Sequence, residues 1–156
     1  MVVALAACGS ALPGVIEALP AEVDGFERVD RSLDDDGQFA AALEAEGISR
    51  DAVAGHEARW GDEIRLIALR FEAVGLNEAY RVARSLVGIG EVEMNLALVG
   101  GGTAFELTGP TVEGVAYQFA VSGEGSESLM YTIIAPSAEE ADPIARAIVD
   151  ATPSQD

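Results

Sequence analysis

The segment Glu63-Ile-Arg-Leu-Ile-Ala-Leu-Arg-Phe-Glu-Ala73 decides the fold of this chain. Successive side chains of a strand point to opposite faces, and here both sets of side chains are apolar until Arg70. A strand with two apolar faces is typical of the interior of a sheet. The segment therefore predicts a central strand, and residues 56–60, before the turn pair Gly61-Asp62, predict its hairpin partner.

Two arginines, Arg65 and Arg70, interrupt this apolar segment. Because one position is odd and the other even, their side chains lie on opposite faces of the strand. An arginine in an apolar strand must pair with a carboxylate or reach solvent. We expect salt bridges to the many carboxylates of the chain, and binding of an anionic group is the alternative.

Helix signals stand on both sides of the central strand. Residues 38–46 follow an aspartate run at 34–36 and end at Gly47, which predicts a helix with an aspartate N-cap. A second helix begins at the predicted N-cap Asn77 and ends at Gly88, with apolar residues at the spacing of one helical face.

A final helix runs to about Asp150, and its start has two interpretations. Ser137 with Glu140 forms a capping-box pattern, which would leave Pro143 inside the helix. Asp142 as N-cap would instead place Pro143 at the first helical position. Either way, we expect a bent or late-starting helix.

The remaining strands follow from alternation and turn signals. Val92, Met94, Leu96 and Leu98 alternate with Glu93, Asn95 and Ala97, which predicts a strand with one buried face. Three glycines at 100–102 turn it into residues 103–107, and residues 115–121 and 129–135 form a further hairpin.

These elements predict an α+β fold. We expect an antiparallel sheet of six or seven strands, with about three helices packed mainly on one face. The segments Ala83-Arg-Ser-Leu-Val87 and Ala145-Arg-Ala-Ile-Val149 each close a helix after a hairpin. A duplicated ββα unit is therefore a further hypothesis.

Charge limits the chemistry of this single-domain chain. Its 156 residues include 9 basic and 27 acidic side chains, for a formal net charge of -18, and all the basic ones are arginines. The absence of lysine excludes Schiff-base chemistry and a phosphate-loop lysine. The isoelectric point near 4.1 argues against nucleic acid as a partner, because phosphate binding is mostly electrostatic. We expect no cofactor.

The N-terminus carries a short motif. Leu5-Ala6-Ala7-Cys8 ends an apolar run at the one cysteine of the chain. The motif resembles the lipobox of bacterial lipoproteins, in which the signal peptide is cut before the cysteine and the sulfur receives a diacylglycerol. The match covers four residues, and the cationic residues that usually precede such a run are missing. A start codon assigned too far downstream would explain the gap.

The resemblance implies a cell-envelope location outside the cytoplasm, with the membrane as partner through a lipid on Cys8. Residues 1–8 are then the remnant of a signal peptide, residues 9–25 a tether and residues 26–152 one domain. This domain is similar in style to uncharacterised lipoprotein domains of high-GC bacteria, a similarity that implies no activity. If Cys8 is only a small hydrophobe, a secreted or cytoplasmic location follows.

Two other motifs invite functional interpretations. His56-Glu57 begins like a zinc-protease motif but lacks the second histidine, so we expect no zinc site. Asp34, Asp35 and Asp36 are a weak candidate for holding a cation. The EF-hand pattern fails because Leu43 stands where a bidentate glutamate is required, and a helix cap beside a solvated turn is the alternative.

Three functional hypotheses remain at this level. The first is a lipid-anchored, non-catalytic binding or envelope-associated domain whose ligand, small molecule or protein, the sequence does not name. The second is a hydrolase-like enzyme that uses His56 or paired carboxylates. The third is an acidic domain adapted to high salt, since acidic surfaces without lysine suit such habitats. No catalytic residue is assigned.

Overall fold

The computed structural model describes residues 12–122 and 127–151. These residues form one eight-stranded antiparallel sheet, in the order β1-β2-β3-β4-β8-β7-β6-β5, and four α-helices. The strands are β1 (Glu22–Val23), β2 (Phe26–Ser32), β3 (Val53–Trp60), β4 (Ile64–Glu72), β5 (Glu93–Val99), β6 (Gly102–Thr108), β7 (Val115–Ser122) and β8 (Glu127–Ala135). The helices are α1 (Leu12–Ala18), α2 (Gly37–Ala45), α3 (Leu76–Leu86) and α4 (Ala138–Ala151), and Arg50–Ala52 form a 3₁₀ turn.

The α+β class and the antiparallel sheet are confirmed, and the expected six or seven strands and three helices are too few. The additional elements come mainly from the N-terminal residues. Strand β4 lies between β3 and β8, as its two apolar faces predict. Leu66 and Ala68 on one side and Ile67 and Leu69 on the other are at most 1% exposed.

Helices cover both faces of the sheet, so the expectation that they pack mainly on one face is wrong. Helices α1 and α4 cover the face that carries Leu66 and Ala68, which we call the first face. Helices α2 and α3 cover the second face, which carries Ile67 and Leu69. The physical reason is the central strands themselves, since a strand that is apolar on both sides needs a cover on each side.

The ββα order occurs twice, as β3-β4-α3 and as β7-β8-α4. The second strands of the two units, β4 and β8, pair with each other in the middle of the sheet. Helices α3 and α4 nevertheless pack on opposite faces. The repeat is therefore one of element order and not of the way in which the helices pack.

The structure differs from the tether predicted over residues 9–25, because α1 and β1 belong to the domain. Leu19, just after α1, is 4% exposed and lies in the core of the first face. Arg28 Nη1 donates to the carbonyl of Leu19 at 2.8 Å, and Trp60 Nε1 donates to the carbonyl of Pro20 at 3.0 Å. Side chains from β2 and β3 thus hold this segment against the sheet.

Helix α2 has the predicted caps. Asp36 is its N-cap, with a carboxylate oxygen that accepts a hydrogen bond from the amide of Phe39 at 2.9 Å. Gly47 follows the helix with a φ of 70°, in the left-handed region that glycine adopts without a Cβ clash. Helix α3 differs, because its N-cap is Gly75 and the predicted cap Asn77 lies in the first turn.

Helix α4 follows the capping-box interpretation. It begins at Ala138, and the hydroxyl of Ser137 donates to the carboxylate of Glu140. Pro143 lies inside the helix, and Asp142 has a role other than capping. Asp142 Oδ1 accepts a hydrogen bond from the amide of Gly100 at 3.0 Å, which joins α4 to the turn between β5 and β6.

The predicted buried face of β5 is covered only at its start, where Met94 is half-buried against the cluster of Ile89, Leu107 and Ala116. Leu96 is 71% exposed and Leu98 is 83% exposed, whereas Val99 on the opposite face is 5% exposed. Helix α4 packs against β5 and β6 on the first face. Helix α4 therefore covers the face of β5 that the alternation pattern marks as the less apolar one.

The turn between β5 and β6 is tightly packed against α4. Gly100 and Gly101 have φ values of 60° and 85°, as expected for the two central residues of a type I′ hairpin. A Cβ on Gly100 would lie 2.3 Å from the backbone nitrogen of Arg146, whereas a Cβ on Gly101 would have its nearest neighbour at 3.8 Å. Helix α4 can therefore approach only if position 100 is glycine.

We expect Gly100→Ala to lower the free energy of unfolding by about 2 kcal/mol or more, through backbone strain and a clash with α4. Gly101→Ala is the matched control, because it adds the same left-handed strain without the clash and is expected to cost about 1 kcal/mol. Urea denaturation monitored by circular dichroism measures both. Equal losses for the two variants would contradict the proposed contact.

Candidate binding site

One carboxylate, that of Glu57, is buried in the second face of the sheet. Glu57 is 1% exposed and stands on β3 between Arg31 of β2 and Arg65 of β4. Its Oε2 accepts from Arg65 Nε at 2.9 Å and Nη2 at 2.5 Å, and its Oε1 accepts from Arg31 Nε at 3.1 Å. Both carboxylate oxygens are thus held by guanidinium groups, which is the condition for burying such a charge.

The arginines decide the charge state of Glu57. Burial by itself would raise its pKa, but the hydrogen bonds and charges of Arg65 and Arg31 outweigh burial and hold the pKa below the usual glutamate range. The group is therefore ionised in the folded protein at neutral pH. Because the pKa is lowered by folding, the ionised group stabilises the fold above its unfolded pKa.

The same network reaches the start of α2. Arg31 Nη1 donates to Asp36 Oδ2 at 2.6 Å, while the other oxygen of Asp36 caps the helix. The Arg31 hydrogen bond and then the amide of Phe39 lower the pKa of Asp36. One chain of charges, Asp36-Arg31-Glu57-Arg65, thus links α2, β2, β3 and β4 on the second face.

Arg65 at the end of this chain lines a cavity. The side chain of Arg65 is 24% exposed, and the cavity has a volume of about 410 Å³. Its other walls come from the β3–β4 connection, the β6–β7 connection and the end of β8. The lining residues are Asp62, Glu63, Arg65, Glu113, Gly114, Ile134, Ala135 and Pro136.

A smaller cavity, lined mainly by apolar residues, adjoins the first. It has a volume of about 110 Å³ and shares Glu113 and Ile134 with the larger one. Its other lining residues are Val87, Ile89, Thr111 and Val112. We call the two together the cleft: the larger cavity, its mouth, carries the charged side chains, and the smaller one is its inner end. The volume of the mouth is within the range of small-ligand sites.

Close backbone contact fixes one wall of the cleft. Gly114 has a φ of 73°, and a Cβ there would lie 2.3 Å from the carbonyl oxygen of Ala135. The β6–β7 connection can therefore lie directly on the end of β8, which places Glu113 beside Ile134. Rigid backbone on both sides is what holds a binding residue in position.

The charges of the cleft favour a positively charged ligand group. Asp62, Glu63 and Glu113 contribute three carboxylates, and the one lining cation, Arg65, is already offset by Glu57. Arg59, which pairs with Arg65 in the β3–β4 register, is exposed and is not among the lining residues. The larger cavity therefore presents more negative than positive charge to a ligand.

The predicted pairing of the two strand arginines is confirmed. Arg65 lies on the second face with Glu57, and Arg70 Nη1 lies 3.3 Å from Glu127 Oε2 on β8. Sequence patterns had not marked Glu57 or Glu113 as site residues. Of the odd-numbered neighbours of Glu57 in its strand, Val53 and Gly55 are uncharged but Arg59 is charged, so alternation gives only a weak signal that Glu57 is buried.

His56 lies on the first face, apart from the cleft. Its Nε2 is 2.9 Å from Asp30 Oδ1, and Ser32 stands opposite it in the β2–β3 register. The hydroxyl oxygen of Ser32 accepts a hydrogen bond from the amide of Asp34 at 3.2 Å. Within the described part of the chain, no hydrogen bond joins Ser32 to His56, so the base and nucleophile of a catalytic triad are not in contact.

The acidic turn does not form a metal centre in the described residues. Both oxygens of Asp36 are engaged, one by α2 and one by Arg31, and the backbone carbonyl of Asp34 accepts from Arg50 Nη2. No group of three or more potential metal ligands occurs anywhere in residues 12–122 and 127–151. Asp36 acts as a helix cap, and Asp34 and Asp35 are exposed to solvent.

Comparison with known proteins adds no assignment for this site. The chain matches no family model, no curated protein and no solved structure. Cys8, the predicted lipidation residue, lies outside the described residues. None of the described helices is long and apolar enough to span a membrane.

We expect Glu57→Gln to lower the free energy of unfolding at pH 7 by about 2 kcal/mol, because it leaves two arginines without their buried partner. The stability of the native sequence should fall as the pH drops below about 4.3, the ordinary pKa of a glutamate in the unfolded chain, because the unfolded chain then takes up a proton that the folded protein does not. The difference between the two proteins should therefore shrink in acid. Urea denaturation from pH 7 to pH 3 measures it.

The matched control is Glu46→Gln, which breaks the more exposed pair with Arg81. This variant should change stability by less than about 0.5 kcal/mol at either pH. A Glu57→Gln protein as stable as the native sequence at pH 7 would show that the buried network contributes nothing.

Proposed function

We propose that this chain is an exported, lipid-anchored and non-catalytic binding domain, with the cleft as its ligand site. The observation that carries the proposal is the cavity of about 410 Å³ between Arg65 and Glu113. Its ligand would be a small molecule or peptide side chain with a positively charged group and a short apolar part. Separate observations support the ligand class, the lipid anchor and the non-catalytic role.

The ligand class follows from the lining. A cationic group in the mouth would meet Asp62, Glu63 and Glu113, while an apolar tail would meet Ile134 and the smaller cavity beyond it. Charged groups are attracted more strongly in a partly enclosed cavity than on an open surface, because less water screens them. An anion would meet the same carboxylates with the opposite sign of interaction.

The support for an anchor lies in the sequence motif ending at Cys8 and in the position of α1. Leu12 begins α1, which packs on the first face, whereas the cleft opens on the second. The four peptide units from Cys8 to Leu12 span at most about 14 Å when extended. A lipid on Cys8 would thus hold the domain close to the membrane with the cleft on the other side of the sheet.

The support for a non-catalytic role is the arrangement of the reactive groups. His56 is paired with Asp30 and lies on the face opposite the cleft, and Ser32 donates to no base among the described residues. The cleft also contains one arginine, Arg65, and its charge is already paired with that of Glu57. Holding a ligand by charge and shape requires none of these groups to transfer a proton.

Ligand titration followed by amide chemical shifts tests the binding site. Butylammonium should shift the signals of Gly114 and Ala135, and butyrate, with the opposite charge, should not. Glu113→Gln should weaken the amine by about fivefold, because it removes one of three carboxylates. Glu139→Gln, an exposed carboxylate on α4, is the control and should leave the affinity unchanged. Equal responses to amine and carboxylate would contradict the proposal.

Metabolic labelling tests the anchor. Bacteria that express the gene from its own genomic locus, and that are fed an alkyne analogue of palmitate, should yield a labelled protein in the membrane fraction. Cys8→Ser should abolish the label and release the protein from membranes. An unlabelled native protein would contradict the anchor.

A fluorophosphonate probe, which labels activated serines, tests the non-catalytic assignment. Labelling of Ser32 would contradict that assignment in favour of the hydrolase.

A further inference from the structure

The edge of the sheet formed by β5 carries an exposed apolar strip. Met94, Leu96 and Leu98 share the second face of this seven-residue strand, and we call them the β5 strip. Met94 is half-buried, and the other two are exposed. Leu96 and Leu98 are 71% and 83% exposed, the highest values among the exposed large hydrophobic side chains of the described residues. Their alternation is that of a buried face, which indicates that another surface covers them.

The opposite edge of the sheet is protected, and β5 is not. Strand β1 has two residues, and β2 beside it carries four charges among its seven residues: Glu27, Arg28, Asp30 and Arg31. Short length and charge are the usual means by which proteins prevent edge strands from pairing with other chains. Strand β5 has one charged residue, Glu93, and no proline.

The β5 strip also coincides with the free backbone groups of the edge. In a two-residue hairpin, the residues that flank the turn, Val99 and Gly102, exchange hydrogen bonds with each other. Alternate residues of an antiparallel ladder then point their N–H and C=O groups outward. By this count, Met94, Leu96 and Leu98 present their backbone groups to the free edge, where a further strand would bind.

We propose that β5 pairs with β5 of a second copy of this chain, antiparallel and about a two-fold axis at Leu96. Leu96 then lies opposite Leu96 of the second copy, and Met94 opposite its Leu98. All three outward-pointing residues find a partner of the same kind, as a self-complementary interface requires. The apolar side chains of the two strips meet as cross-strand pairs on the second face.

One complementary charge contact supports this register. It places Glu93 of the second copy opposite Val99, next to the turn at Gly100 and Gly101. Arg146 of α4 lies beside that turn, since a Cβ on Gly101 would be 3.8 Å from its Nη1. Arg146 and Glu93 both belong to the first face. The side chain of Arg146 is 58% exposed and its Nη2 lies 3.4 Å from Asp142 Oδ2, an exposed pair that leaves its other nitrogens available to a second carboxylate. The symmetry creates this ion pair twice.

The net charge of the chain acts against the dimer. Two copies at -18 each repel one another, and this repulsion is reduced when salt shortens the screening length to about 8 Å near 0.15 M. The association should therefore strengthen as salt rises from about 20 mM to 150 mM. A contact made only by ion pairs would weaken over the same range.

Sedimentation equilibrium of the full chain, with a reductant to keep Cys8 from cross-linking, tests the proposal. We expect a reversible species of twice the 16.2 kDa of one chain. Leu96→Lys should raise the dissociation constant at least tenfold, because it places two like charges opposite each other on the two-fold axis. Val29→Lys is the matched control, since Val29 is 65% exposed on β2 at the other edge and should change nothing.

Charge reversal tests the register. Glu93→Arg and Arg146→Glu should each weaken the dimer by about threefold, and the double variant should restore it. A monomer at all concentrations overturns the proposal. So does a dimer that Leu96→Lys leaves intact, because the second copy would then bind elsewhere. Circular dichroism confirms that each variant folds, which is expected because all four positions are exposed.

Discussion

Strands β4 and β8 pair from Arg65 to Glu72 and carry apolar side chains on both faces, so both faces of the sheet must be kept from water. This constraint explains why helices lie on both sides of the sheet. It also explains why the N-terminal segment folds onto the first face, since α4 covers only part of that face and α1 covers more of it. The cleft and the β5 strip both lie where these helices no longer cover the sheet.

The buried Glu57 is the exception within this apolar frame. A carboxylate there is tolerable only because Arg31 and Arg65 hold both of its oxygens. An apolar residue of the same shape would fill the position with less desolvation. What the charge adds is orientation: it fixes Arg65 at the mouth of the cleft and ties Arg31 to the cap of α2. The binding site and the start of a helix thus share one network.

The proposed sites lie on separate parts of the molecule. The lipid would be attached ahead of α1, which packs on the first face. The cleft opens on the second face, and the β5 strip lies at one edge of the sheet. A dimer about β5 would leave both clefts open and would place two lipid chains on one assembly. Two lipid chains anchor a protein far more firmly than one, because each contributes its own apolar burial. Dimerisation and membrane attachment would therefore support each other.

Local pattern determined the central position of β4, the caps of α2 and the opposite faces of Arg65 and Arg70, because each depends on neighbours a few residues away. Only the tertiary structure decided which face each helix covers, that Glu57 lies between two arginines, and that Leu96 and Leu98 stay exposed. Alternation shows which side of a strand is apolar, but not whether another element reaches that side. In β5 the helix that arrives, α4, is held to the first face by Gly100 and Asp142.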